Sequence, residues 1–239
     1  MAARDSRISD LVDANRILAD QGICDAFGHV SVRVADDRFL LARNLAPGQV
    51  GQDDILEYRL DCETLLAGGP GGYLERFIHG EIYRRRPDVG AIVHNHAPSL
   101  IVFGLVPDAA LRPICHMSGF IGRGAPTFEI RDVAGDATDL LIRDPSLGRA
   151  LAESMGQADM VLMRGHGVTI VGHNVRQAVY RAVYAELNAR LQLASVGLGE
   201  PTYLTSAEAS AAAATTESQI DRPWRIWRDA AHCPSLVDN

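Results

Sequence analysis

The chain has 239 residues, 47% of them hydrophobic and 22% charged, with a formal net charge of −7 at pH 7. That length suits one large domain whose core needs neither disulfides nor a structural metal, so any metal would serve chemistry rather than folding. The acidic balance argues against nucleic acid as the main partner, because phosphate neutralisation needs a basic face, and no apolar run reaches the ~18 residues of a membrane span.

In chain order, residues 5–22 carry Ile8, Leu11, Val12, Ile17 and Leu18 at helical spacing, with Gly22 where a helix stops. The alternating run HVSVRV, the turn Asp36-Asp37 and the run RFLLA predict a β-hairpin. DILEYRLD reads as a further strand and AGGPGGY as a loop. LERFIHGEIYRRR has apolar residues at 74, 77, 78 and 82 and predicts a helix ended by Pro87-Asp88; its Arg84-Arg85-Arg86 cluster is a solvated helix end. VGAIVHNH follows as a buried strand, RPICH and PTFEI as short strands. DLLIRDPSLGRALAESM contains a helix, and DMVLMRGHG and TIVG are two more strands. Asn174 predicts the N-cap of a helix over 175–196, ended by Gly197. Its polar residues, Arg181, Tyr184, Glu186, Asn188 and Arg190, read mostly as solvent-facing or intersubunit contacts, with Tyr184 a minor site candidate. EASAAAATTES is a weak helix or linker leading to a tail with Trp224 and Trp227. The expected fold is α/β: three α/β/α layers around a largely antiparallel sheet. The expected division is a domain over 1–205 and a C-terminal extension, 206–239, packing on the domain or a neighbouring subunit.

Four scattered cysteines without a C-x-x-C pair suit reduced thiols in the cytoplasm, and the N-terminus shows no apolar leader core. His94 and His96 stand two apart at the end of an apolar strand, where side chains share a face, so both imidazoles can reach one ion. That pair alone does not separate a metal site from coincidence. His166 lies between Gly165 and Gly167, which leave room for close approach and would allow a third ligand distant in sequence. Glu75 and His79 are four apart on the preceding helix; the carboxylate could act as ligand, acid or base, with His79 orienting its neighbour by a hydrogen bond. A surface ion pair is the plainer reading of Glu75.

Together, E-x-x-x-H, PDVGAIVHNHAP and RGHGV, preceded by GHVSVR, resemble the class II aldolase/adducin family over roughly residues 5–200. The resemblance implies that His94, His96 and His166 hold one divalent metal ion per subunit (zinc, manganese, cobalt or iron), with Glu75 as catalytic carboxylate. It also implies a homotetramer with sites near subunit interfaces. Sugar-phosphate aldolases of that family carry Asn in the G-N-x-S segment, a hydroxyl-rich loop and a Ser pair before the Glu. Here Gly28-His29-Val30-Ser31, ARNLAPG and Tyr73-Leu74 stand instead, which removes phosphate donors. The replacements Phe27, His29, Arg43, Tyr73 and Leu74 suit a flat ring bearing a carboxylate, with Arg43 as its planar partner. FGHVSVR, YLERFIHGE and CHMSGF are similar to the family's hydroxy-aromatic and hydroxypyridine carboxylate decarboxylases.

The expected function is therefore a metal-dependent carbon–carbon lyase, a non-oxidative decarboxylase of a hydroxy-substituted aromatic or heteroaromatic carboxylate. Its catalytic residues would be Glu75, His29 and His116, with Arg43, Tyr73, Phe27 and Ser31 binding substrate. An aldolase acting on a non-phosphorylated hydroxy-carbonyl compound is the alternative within the class. An adducin-like binding protein and an epimerase are further alternatives; the intact histidine set opposes the first and the missing phosphate contacts oppose the second.

Overall fold

The computed structural model describes residues 2–66 and 71–233. Helix α1 (Ala2–Asp20) is followed by the hairpin β1 (His29–Ala35) and β2 (Arg38–Ala42), then β3 (Ile55–Arg59). Next come α2 (Arg76–Arg85), β4 (Ala91–Asn95), α3 (Pro98–Leu105), the short β5 (Thr127–Phe128) and the single turn α4 (Arg131–Ala134). Helix α5 (Pro145–Met155) leads into a second hairpin, β6 (Met160–Met163) and β7 (Gly167–Gly172), and then α6 (Val175–Val196), α7 (Ser206–Glu217) and α8 (Asp221–His232). The strands form one seven-stranded sheet in the order β3-β2-β1-β4-β7-β6-β5, antiparallel throughout except for β5 beside β6.

Strand alternation divides the core into two layers, one on each face of the sheet. Val30, Val93, Leu162 and Ile170 point to one face, against Leu11 and Ile17 of α1, Leu100 of α3 and Val179 of α6. Their neighbours Phe39, Ile92, Val161 and Val171 point to the other, against Ile78 and Ile82 of α2 and Leu151 of α5. This is the expected three-layer α/β/α arrangement. Local signals set several boundaries. Asp144 caps α5 by accepting from the backbone N–H groups of Ser146 and Leu147, and Asn174 caps α6 by accepting from Gln177. Gly22, at φ +67, takes the chain out of α1. Most of the loop AGGPGGY lies outside the described residues.

Two expectations need correction. RPICH forms no strand. Its backbone is bonded instead by α6: Asn188 Oδ1 accepts from the Ile114 N–H (2.9 Å) and its Nδ2 donates to the Arg112 carbonyl (2.8 Å), while Gln192 Oε1 accepts from the Arg112 N–H (3.0 Å). For that reason Asn188 is fully buried rather than solvent-facing, and Glu186 and Arg181 are buried with it. Of the two readings of the Ala-rich stretch, helix or linker, the structure has the helix, α7, fixed at its start by a reciprocal capping box between Thr205 and Glu208. Arg181 ties α7 to the sheet end through Glu217 (2.6 Å) and Asp159 (2.8 Å). Helix α8 lies on α1, with His232 Nε2 2.8 Å from an Asp13 oxygen and Trp224 buried beneath the Arg176 guanidinium. Among the described residues no helix is long and apolar enough to cross a membrane.

Candidate metal centre and active site

The site is built on one row of the sheet. In the ladder, His94 of β4 stands opposite His29 of β1 on one side and Thr169 of β7 on the other. Their strand neighbours Val30, Val93 and Ile170 all point to the α1/α6 side, so these three point to the α2/α5 side. His96 lies just beyond β4, and His166 occupies the turn between β6 and β7, whose preceding residue Gly165 has φ +67. Gly167 opens β7 so close to β4 that a Cβ there would collide with the Asn95 carbonyl and stand 2.9 Å from His96 Cδ2. Only glycine lets the two histidine-bearing segments approach this closely.

Glu75 is the residue immediately before α2, at its N-cap, and not within the helix as the spacing suggested. Its two oxygens have different tasks. Oε1 accepts from the buried Ile142 N–H at 2.9 Å, which fixes the carboxylate. Oε2 then lies 3.7 Å from His94 Nε2 and 3.4 Å from His166 Nε2. His94 Nε2 and His96 Nε2 are 3.1 Å apart. Ligand atoms of Glu75, His94, His96 and His166 all lie within 4.8 Å of one another.

These separations fit a divalent ion. Four ligands about 2.0–2.1 Å from a tetrahedral ion are about 3.4 Å from each other. The proton arrangement around His94 fits as well. Thr169 Oγ1 donates to Met163 Sδ (3.5 Å) and stands 3.2 Å from His94 Nδ1, so Nδ1 carries the hydrogen and Nε2 keeps a free lone pair. Burial holds His94 well below the usual imidazole range, with the neighbouring histidines adding to the effect, and it lowers His96 in the same way. Neutral imidazole is the form that binds a metal.

Glu75 and His96 border a cavity of about 430 Å³ whose walls include Phe27, His29, Leu45, Tyr73, Leu74 and Leu141. Phe27 and Leu74 are exposed at its rim. The His29 ring lies 4.7 Å from the Tyr73 ring and 4.9 Å from that of His94. The Tyr73 hydroxyl is spent on the Leu45 carbonyl (2.6 Å), so Tyr73 offers the cavity a ring face rather than a donor. Burial, with repulsion from His79, His96 and His166 adding to it, holds His29 well below its ordinary range.

Three of the expected site residues stand elsewhere. Arg43 is not in the cavity wall; its Nε is held by Asp54 at 2.7 Å, a partner eleven residues on that needs charge just as a substrate carboxylate would. Ser31 is fully buried behind His29, with its Oγ 2.6 Å from His79 Nδ1 and 2.8 Å from the Tyr83 hydroxyl, so it cannot touch substrate. His79 accordingly bonds Ser31 and His29 Nδ1 (2.7 Å) rather than Glu75. His116 borders a second cavity, also about 430 Å³, with Tyr180, Tyr184, Arg222 and Trp227; the two cavities share no wall residue. Thr169 and the Ile142 amide were not anticipated. Thr169 had a signal, a hydroxyl inside the apolar run GVTIVG, but a backbone N–H leaves none.

Fold and site together define an α/β protein with a histidine–carboxylate cluster that borders a partly apolar cavity through Glu75 and His96. The sequence profile described as "Class II Aldolase and Adducin N-terminal domain" matches residues 9–193, and the chain belongs to the class II aldolase and adducin family. The decarboxylase tropJ of Talaromyces stipitatus is 35% identical, across 97% of this chain and 96% of that protein. The 3,4-dihydroxyphthalate decarboxylase of Arthrobacter keyseri is 31% identical across 78% of this chain and 77% of that one. Among solved structures, L-fuculose 1-phosphate aldolase from Glaciozyma antarctica has the same fold, with a TM-score of 0.77 at 20% identity, covering 95% of this chain and 90% of that one. The chain is an enzyme of the lyase class.

Proposed function

We propose that this lyase is a divalent-metal-dependent, non-oxidative decarboxylase of a hydroxy-substituted aromatic or heteroaromatic carboxylate. The observation that carries the reading is the Glu75 oxygen set 3.7 Å from His94 Nε2 and 3.4 Å from His166 Nε2, beside a cavity whose walls include Phe27, Tyr73 and aliphatic side chains. Relatives named as decarboxylases, one of them for a dihydroxyphthalate, support the same choice. His94, His96 and His166 would hold one ion per chain, with zinc, manganese, cobalt and iron all compatible with such donors. When bound, that ion supplies Lewis-acid stabilisation of the negative charge that develops on substrate oxygen as the carbon–carbon bond breaks.

The protein's own groups then account for the protons. Glu75 Oε2 takes the proton of the ring hydroxyl, which pushes electron density to the adjacent ring carbon. The same oxygen returns that proton to the carbon bearing the carboxylate. The bond to the carboxylate breaks, CO₂ leaves and the ring regains aromaticity with hydrogen in its place. Ile142 keeps Glu75 from rotating away between the two transfers, and the rings of Phe27 and Tyr73 hold the substrate plane. His29 donates a hydrogen bond to the charged substrate oxygens. The exposed apolar rim at Phe27 and Leu74 supports a homo-oligomer, a tetramer in this reading, in which the rim is covered. Four free cysteines support a reducing, cytoplasmic setting.

The test is CO₂ release from a panel of ortho-hydroxy aromatic acids by metal-loaded protein, with aldehyde release from non-phosphorylated hydroxy-carbonyl compounds measured alongside. Glu75→Gln keeps the Ile142 contact and should retain metal while losing about 10²–10⁴-fold in kcat. Near-normal turnover would remove Glu75 from the central role, and aldehyde release without CO₂ would make the protein an aldolase.

A further inference from the structure

Behind His29 runs a hydrogen-bonded chain that reaches no solvent: Tyr83 hydroxyl, Ser31 Oγ, His79 and His29 Nδ1, with links of 2.8, 2.6 and 2.7 Å. Tyr83, Ser31 and His79 are at most 1% exposed, and His29 is 4% exposed. None of the four is bonded to a carboxylate, and each imidazole ring carries at least one hydrogen.

The hydrogens can be assigned by elimination. Among the described residues, Ser31 is the one partner of the Tyr83 hydroxyl. If Tyr83 accepted from Ser31, its own hydrogen would be buried without an acceptor. If Ser31 accepted from both Tyr83 and His79, the serine hydrogen would be stranded instead. Either arrangement leaves a desolvated donor unpaired, which is the expensive outcome. One pattern pairs every hydrogen behind His29: Tyr83 donates to Ser31, Ser31 donates to His79 Nδ1, and His79 Nε2–H donates to His29 Nδ1. His29 must then carry its hydrogen on Nε2, the ring nitrogen with no bond to the protein, on a residue that borders the cavity.

We propose that His79, Ser31 and Tyr83 are positioning residues that lock His29 in the Nε2–H tautomer, making it a one-way hydrogen-bond donor to the substrate. His29 therefore acts neither as a base nor as a cation. Its donor points to oxygens that gain charge in the transition state, and preorganised donors of this kind favour the transition state over the bound ground state. Arg33, whose guanidinium sits 4.7 Å above the Tyr83 ring and donates to the Tyr83 and Arg86 carbonyls, holds the far end of the chain in place. The kinetic part of this proposal rests on the decarboxylase reading; the tautomer part does not.

The test has two arms. In zinc-loaded protein with ¹⁵N-labelled histidine, long-range proton–nitrogen spectra should show the His29 hydrogen on Nε2. Tyr83→Phe removes the donor that sets the direction and should produce a mixture of tautomers. A His29 hydrogen on Nδ1 in the unmodified protein would overturn the proposal whatever the enzyme's substrate. In the kinetic arm, Ser31→Ala should lower kcat about 10-fold or more, with bound zinc and KM unchanged, and Ser31→Thr, which keeps the hydroxyl, should restore it. A Ser31→Ala protein with the usual kcat, or a Tyr83→Phe protein with an unshifted His29 tautomer, would refute the lock. Absence of CO₂ release by every form would count against the decarboxylase reading and leave the spectral result to stand or fall on its own.

Discussion

Thr169→Val isolates the contribution of a single hydroxyl to the metal centre. Valine matches threonine in shape, and the position is fully buried between β4 and β6, so packing is little disturbed while the acceptor for His94 Nδ1–H disappears. Removing an outer partner of a ligating histidine weakens metal binding by about 10–100-fold. The contact here, 3.2 Å, is at the long end for N–H···O. The expected loss is therefore near the lower bound, about tenfold or ~1.4 kcal/mol. That agrees with the ~1–3 kcal/mol cost of leaving a buried donor unpaired. Competition against a chromophoric chelator measures the affinity directly. Thr169→Ser, which keeps the hydroxyl, should bind the ion nearly as well as the unmodified protein, although it loses some stability to the missing methyl. Unchanged affinity in Thr169→Val, or equal weakening in Thr169→Ser, would refute the assignment of Thr169 as the partner that orients His94.

Gly167→Ala should be destabilised by about 1–3 kcal/mol, as overpacked positions are, and should also bind the ion less well because the new methyl presses on the Asn95 carbonyl and the His96 ring; thermal unfolding and chelator competition measure both, and normal values would show that β4 and β7 can move apart freely. Metal-free protein should lose stability in mild acid. Burial lowers His79 to about 3, so the folded form resists a proton that the unfolded chain accepts near pH 6.5. Stability is thus fully present above pH 6.5 and falls as pH drops from there toward 3, by about 1.4 kcal/mol per pH unit for each histidine that stays neutral. Urea midpoints at pH 7.5, 6.5 and 5.5 read this before most carboxylates titrate, and a constant midpoint would contradict it.

Elements governed by nearby residues were legible in the sequence. The β1–β2 hairpin, the cap at Asn174 and the stop at Gly22 each depend on residues a few positions apart. RPICH misled because its backbone partners are Asn188 and Gln192, more than seventy residues away on a helix. Partners distant in sequence likewise hide Asn188 and Arg181 from a reading that takes polar helix residues as solvated. At the site, strand parity and the flanking glycines pointed to the histidines that the fold gathers. Residue chemistry alone could not show which neighbour each group would choose: Arg43 goes to Asp54, and Ser31 turns to the Tyr83 and His79 behind it. Glu75's anchor is a main-chain amide, which no side-chain pattern encodes.

In the proposed function, His94, His96 and His166 hold an ion on which carbon–carbon cleavage depends, and Glu75 moves the protons. Elemental analysis and CO₂ release should be measured together on the unmodified protein and His94→Ala, using an accepted ortho-hydroxy aromatic acid. About one ion per chain with CO₂ release in the first, and loss of both in the second, is the predicted result. Undiminished CO₂ release from metal-free His94→Ala protein would contradict it.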